Sequence, residues 1–414
     1  MITAKDALAA DLAKLTPASL KTAPLAELTA IAQKIRQLLI GTRPQADRAL
    51  AANLSNVELT LALHRAFDWP DDRIVWDGGH QMDTHRIVTG RVDRFATPAF
   101  EASGRAVMKT EGGPEVIEAA RGGTSISIAL GIALGRALKG DTRPVVCVIG
   151  DGALAQGVAL EALNHAASVP HVNLIVVLND NSDSTGGGAL HAYLRSLAVG
   201  RRDPEALFTS LGFDYIGPVD GHSVEALSQA LDRARVSTQI PIVHVKTQRG
   251  YGSKPQPVRR DTNRFADAAA AIVADEMARD ERLVVVVPAP AEELGFAALL
   301  AKLPDRVFAP RLDEPHSFAA TVGLVSERYK PVVVADSAFL ERAFDHVARD
   351  LCAGNVPVVV LAIGRLTEPK AWQGLPHVRV LMPATKAELD KTLREALREV
   401  PGPTLFVLSA GPAA

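Results

Sequence analysis

Two uninterrupted apolar runs, Val145-Val146-Cys147-Val148-Ile149 and Leu174-Ile175-Val176-Val177-Leu178, constrain this chain more than any other feature. Runs of that length without polar alternation read as strands buried on both faces, as in a parallel sheet covered by helices. Between them Val158, Ala159, Ala162, Leu163 and Ala166 recur at helical spacing, so the unit reads strand, helix, strand. Gly150-Asp151-Gly152 follows the first run and Asn179-Asp180-Asn181 follows the second. Asp151 and Asn181 thus fall at the carboxyl edge of the sheet, where open α/β sheets bind ligands. A carboxylate and a carboxamide offer oxygen ligands, which suits a hard cation such as Mg²⁺. That ion keeps part of its water shell and shares phosphate oxygens. Gly150 and Gly152 let backbone approach a phosphate closely. The plain alternative is an ordinary Gly-Asp-Gly turn.

This arrangement resembles the diphosphate-binding motif of thiamine-diphosphate (ThDP) enzymes. The longer stretch Gly150 through His165 (GDGALAQGVALEALNH), then VVLNDN, is similar to the 1-deoxy-D-xylulose-5-phosphate synthase family, relatives of transketolase. Separate stretches agree in order along the chain. Ile35 to Ile40 and Val57 to Thr60 resemble the family's N-terminal helices. Trp76 to Gln81, with Thr89-Gly90-Arg91, resembles its WDxGHQ…TGR region. Leu211 through His222 and Phe339 through Asp345 resemble two further segments.

A chain of 414 residues is long for one core and suggests two domains. The first is expected over residues 1–265, with further strands at Phe213-Tyr215-Ile216 and Ile242 to Val245. Gly250 to Thr262, polar and punctuated by Gly and Pro, reads as a crossing linker. A second α/β unit, 266–414, is expected from apolar runs at Leu283–Val287, Val332–Ala335, Val358–Ile363, Val378–Met382 and Leu405–Leu408. The resemblance implies a diphosphate-binding and a pyrimidine-binding domain, each a mainly parallel sheet flanked by helices. The family's third, C-terminal domain is expected to be absent. A net charge of −2 gives no electrostatic reason to bind nucleic acid or membrane. Two cysteines, Cys147 and Cys352, lie in or beside apolar segments and read as buried thiols of a reducing compartment. No apolar run reaches membrane-spanning length, and the first residues lack a signal-peptide core. The expectation is a cytoplasmic protein.

The remaining candidate residues come from the resemblance. It implies ThDP and Mg²⁺ as cofactors, with Asp151 and Asn181 as metal ligands and the Asp183 backbone carbonyl completing the shell. Gly152 and Ala153 would meet the diphosphate through backbone N–H groups near a helix start. Arg306 through Ser317 (RVFAPRLDEPHS) places Glu314 where the family has the carboxylate beside the cofactor's pyrimidine N1′, and His316 on a neighbouring, substrate-side histidine. Read without the resemblance, Asp313-Glu314-Pro315 suits a helix N-terminus, and that reading stays open. His80 falls on a pocket histidine that assists proton transfers, work suited to an imidazole with a pKa of about 6.5. A structural hydrogen bond is its alternative. His85 reads as a surface residue near a turn. Phe339 would stack on the pyrimidine, and Arg342 would lie near the substrate-phosphate channel; a core Phe and a solvated Arg are the alternatives.

The chain also departs from the family. RALAANLSNVELT, Arg48 through Thr60, carries Ala49 in place of a substrate-side histidine, and Arg48, Asn53 and Ser55 in place of glycines. EAARGGTSIS, Glu118 through Ser127, carries Arg121 in place of a cofactor-contacting histidine, with Gly122 and Gly123 in place of serines. A guanidinium there still suits a diphosphate. The segment after Asn181 is short, and the family's RAGLVGxDGxTHxG loop is missing after Ile363. Three readings follow. The first is a ThDP- and Mg²⁺-dependent transferase, decarboxylating a 2-oxo acid, pyruvate by default, and passing a two-carbon unit to an altered acceptor. The second is a non-catalytic paralogue serving as a binding or regulatory subunit. The third is half of a two-gene enzyme whose second subunit completes it. A homodimer acting on small molecules is expected.

Overall fold

The structure is a computed structural model that describes residues 4–42, 48–78, 81–92, 122–169, 172–181, 188–198, 205–253, 264–289, 291–310, 313–399 and 401–409. The chain divides into two compact units, Met1–Arg259 and Arg260–Ala414. The strands of the first are β1 (Arg73–Trp76), β2 (Val145–Gly150), β3 (Leu174–Asp180), β4 (Asp214–Asp220) and β5 (Pro241–Lys246). They form one sheet in the order β1-β2-β3-β5-β4, with every neighbouring pair parallel.

Alternate residues of β2 and β3 enter different cores. Val145, Cys147, Ile149, Leu174, Val176 and Leu178 pack on one face, under Ala159, Ala162, Leu163 and Ala166 of the helix Gly157–Ser168. Val146, Val148, Ile175 and Val177 pack on the other, against Leu59 and Leu63 of the helix Val57–Ala66. Both faces are covered, so the runs show no polar alternation. A third cluster gathers the N-terminal helices, including Leu28, Ile35 and Leu39 of Leu25–Thr42. Arg36 on that helix donates to both carboxylate oxygens of Glu58 at 2.9 Å. It also donates to the Tyr251 carbonyl at 2.9 Å, and the Gly250 N–H donates to Ala51 at the same distance. Gly250–Ser253 is therefore packed on the first unit rather than crossing freely; the rest of the expected linker lies outside the described residues.

The second unit carries β6 (Leu283–Val286), β7 (Val307–Phe308), β8 (Lys330–Asp336), β9 (Val359–Ile363), β10 (Arg379–Leu381) and β11 (Thr404–Leu408). They form a parallel sheet ordered β10-β11-β9-β8-β6-β7. Val332 and Val334 face the helices Arg264–Met277 and Lys386–Arg398. Val333 and Ala335 face a core with Phe318 and Trp372. Cys147 and Cys352 are both free and buried. Among the described residues no helix is long and apolar enough to cross a membrane.

Candidate active site

Asp151 is the first residue beyond β2, and Asn181 the first beyond β3. The two strands are direct neighbours with Gly150 paired to Asn179, so both residues leave the same edge of the sheet side by side. A Cβ placed on Gly150 would meet nothing within 4 Å. The strand end therefore borders open space. Gly152 and Ala153, half-buried, follow in the short helix Asp151–Leu154. Asp151 is 5% exposed. Burial, then the neighbouring Asp180 carboxylate, push its pKa up to about 6, against an opposing pull from His191. A carboxylate in that position gains from any cation brought beside it. His191 Nε2 lies 3.5 Å from Asp151 Oδ2 and makes no hydrogen bond. Asp183, His80 and Arg121 fall outside the described residues.

A buried chain of amides braces this edge from below. Thr247 Oγ1 donates to Asn179 Oδ1 (2.6 Å), and Asn179 Nδ2 donates to Asn56 Oδ1 (2.6 Å). Asn56 Nδ2 donates to Gln81 Oε1 (3.0 Å), and Gln81 Nε2 to the Asp77 carbonyl (2.7 Å). The Asp77 carboxylate accepts the Gly123 N–H at 2.9 Å on each oxygen and the Ser125 N–H at 3.1 Å. It thereby holds the Gly122-Gly123 turn against the start of the helix Ser125–Ala137. Gly123 has a φ of +85°, a backbone conformation that L side chains rarely adopt, which favours glycine there.

One strand further on, Asp180 Oδ2 lies 3.0 Å from His244 Nε2, whose Nδ1 lies 2.7 Å from the Tyr215 hydroxyl. Burial raises the Tyr215 pKa, so the phenol keeps its proton and donates it to Nδ1. With Nδ1 accepting, the Nε2–H donates to the Asp180 carboxylate. Nothing in the sequence signalled this relay.

His85 corrects the surface reading. It is fully buried, with Nδ1 2.8 Å from His64 Nε2 and its ring stacked on His64. Its neighbours Asp83 and Arg86 pair internally at 3.0 Å, so a polar-looking helix is buried whole.

In the second unit, Glu314 begins the helix Glu314–Ser326 and is 1% exposed. Arg342 Nη2 donates to Glu314 Oε1 at 2.7 Å. The same guanidinium sits 4.5 Å over the centre of the Phe339 ring, a cation–π contact. Glu314, read apart from the Phe339–Arg342 pair in the sequence, joins them in one cluster. Burial pushes the Glu314 carboxyl up, and Arg342 draws it back down. His316 is exposed, two residues on. Ser317 and Ser337 have buried hydroxyls without a hydrogen-bond partner.

Two family descriptions match the chain: 1-deoxy-D-xylulose-5-phosphate synthase over residues 12–204, and the thiamine diphosphate binding domain of transketolase over residues 139–284. A 1-deoxy-D-xylulose-5-phosphate synthase of Geobacter sulfurreducens is 34% identical, over 92% of this chain and 72% of that one. The Acidovorax sp. enzyme of the same name is 33% identical over the same shares. Among solved structures, transketolase from Campylobacter jejuni aligns over 92% of this chain and 78% of its own, at 16% identity and a TM-score of 0.45.

Proposed function

The chain belongs to the 1-deoxy-D-xylulose-5-phosphate synthase family, and from that premise we propose a ThDP-dependent transferase that takes a two-carbon unit from a 2-oxo acid. The observation that carries the reading is the pair Asp151 and Asn181 on adjacent strand ends, beside open space. The residues fit the cofactor. A buried carboxylate pushed up to about 6 is relieved by a divalent cation, Mg²⁺ by family resemblance. Gly122, Gly123, Gly152 and Ala153 offer backbone beside that position, and the proposal extends to Arg121, His80 and the Asp183 carbonyl. The first unit is thus the diphosphate domain and the second the pyrimidine domain.

When bound, ThDP would supply a nucleophilic thiazolium carbon, the chemistry that decarboxylation of a 2-oxo acid needs. The chain's own residues do the rest. Glu314, buried and with its carboxyl pushed up by that burial, would share a proton with the pyrimidine N1′. Arg342 sets how tightly that proton is held and keeps the carboxyl in one orientation. Phe339 gives the pyrimidine an apolar face. Asp77 and the Asn56–Gln81 bridge fix the backbone around the diphosphate.

The acceptor differs from the family's. Ala49 has no donor for a substrate oxygen, and Asn53 stands where the family has a glycine. Asn53 Oδ1 accepts the Asp83 N–H at 2.8 Å, and Asn56 is spent on Asn179 and Gln81. That strip is braced internally rather than free to grip a phosphosugar. Calorimetric titration of ThDP with and without Mg²⁺ tests the proposal. Wild type should bind only with the metal, and Asp151→Ala should lose binding. Unchanged ThDP affinity in Asp151→Ala at fixed Mg²⁺ would sink the assignment.

A further inference from the structure

The helix Ala189–Ala198 packs Leu194 and Leu197 into the core of the first unit. His191 precedes Leu194 by three residues and shares its inward face. The imidazole is 8% exposed. Its Nε2 has no hydrogen-bond partner and lies 3.5 Å from Asp151 Oδ2. A buried polar atom left unmatched is destabilising by roughly 1–3 kcal/mol, so this nitrogen calls for a partner.

Two partners are chemically available. The first is Asp151 itself, but a charge-assisted N–H···O bond closes to about 2.7–2.9 Å, well inside the observed separation. The second is an ion held by both groups. Nitrogen and oxygen donors each ~2.0–2.2 Å from one cation stand roughly 3.0–3.5 Å apart, which matches. Among the described residues no three His, Cys, Asp or Glu side chains converge. Any shell here is therefore mixed, with one imidazole beside the oxygen ligands already named.

We propose that His191 Nε2 is a ligand of the divalent cation at Asp151 and Asn181, and that this nitrogen turns the site's preference from Mg²⁺ toward Mn²⁺ or a similar first-row ion. The inference rests on the diphosphate-site reading above. Its chemistry is that of donor softness: Mg²⁺ favours an all-oxygen octahedral shell, whereas imidazole binds first-row transition ions well. His191 stands on the helix that follows Asn181 in the chain, so the ion would tie β2, β3 and this helix together.

The test uses full-length protein carrying ¹⁵N-histidine, with Mn²⁺ and ThDP. Pulsed EPR should find ¹⁵N hyperfine coupling on the bound Mn²⁺, absent in His191→Asn. The ratio of Mg²⁺ to Mn²⁺ dissociation constants, measured with ThDP present, should fall about tenfold in the variant. His191→Asn keeps a polar side chain, and a far-UV circular dichroism spectrum and Tm like those of wild type show that it is folded. If Mn²⁺ and ThDP bind without ¹⁵N coupling and His191→Asn leaves the metal ratio unchanged, His191 is not a ligand, while the diphosphate site stands. If Mn²⁺ and ThDP do not bind, or bind equally to Asp151→Ala, the site reading fails and takes this inference with it.

Discussion

Asp77 is the buried anchor of the turn that the account places against the diphosphate, and removing its carboxylate has a calculable consequence. In Asp77→Ala, the Gly123 and Ser125 N–H groups lose a charged acceptor in a region where Asp77 is only 2% exposed. Hydrogen bonds to a charged group contribute about 1.5–3 kcal/mol each. Two lost together, partly offset by water entering the gap, should destabilise the first unit by about 3–5 kcal/mol. For a unit of this size each kcal/mol lowers Tm by roughly 2–4 °C, so a fall on the order of 10 °C is expected by calorimetry. Asp77→Asn retains one acceptor oxygen and should fall between Ala and wild type. ThDP affinity should drop further in Asp77→Ala than in Asp77→Asn, because the Gly122-Gly123 turn is held less firmly. A Tm within 2 °C of wild type for Asp77→Ala, about the effect of a single kcal/mol, would refute the reasoning. It would mean the turn is held by other contacts.

Arg342→Met should raise the Glu314 pKa, since it removes the charge that opposes burial. An opposite charge beside a carboxyl favours its ionised form, so the limb of the pH profile for exchange at ThDP C2 that Glu314 governs should move to higher pH in the variant. An unmoved limb would show that Glu314 does not govern it. By family resemblance the protein should sediment as a homodimer at micromolar concentration; a monomer under those conditions contradicts that expectation.

The strands that carry the candidate site were legible because they are covered on both faces. β2, β3, β8 and β9 read as continuous apolar runs for that reason, and their ends located Asp151 and Asn181. β1 and β7 were not anticipated. They are four and two residues long, too short for any periodicity to appear. His85 was misread because its burial depends on His64, twenty-one positions away, and on an Asp83–Arg86 pair that neutralises the helix locally. Asn56 was not singled out from the sequence. Its bridge between Asn179 and Gln81 exists only once β3 and the segment after β1 are brought together. Glu314 could be read as a helix-start acid or as a site carboxylate, and in the fold it begins a helix while lying buried against Arg342. Local sequence gives the first of these, and only the tertiary contact gives the second.

The central claim is that Glu314 acts on a bound cofactor. Exchange of the ThDP C2 proton for deuterium, followed by NMR on the Mg²⁺ complex, tests it most directly. Wild type should exchange faster than free ThDP. Glu314→Gln should still bind ThDP but exchange more slowly by about 10²–10⁴, the usual loss when a positioned acid or base is removed. Equal rates for wild type, Glu314→Gln and free cofactor would contradict the account and leave a chain that binds ThDP without activating it.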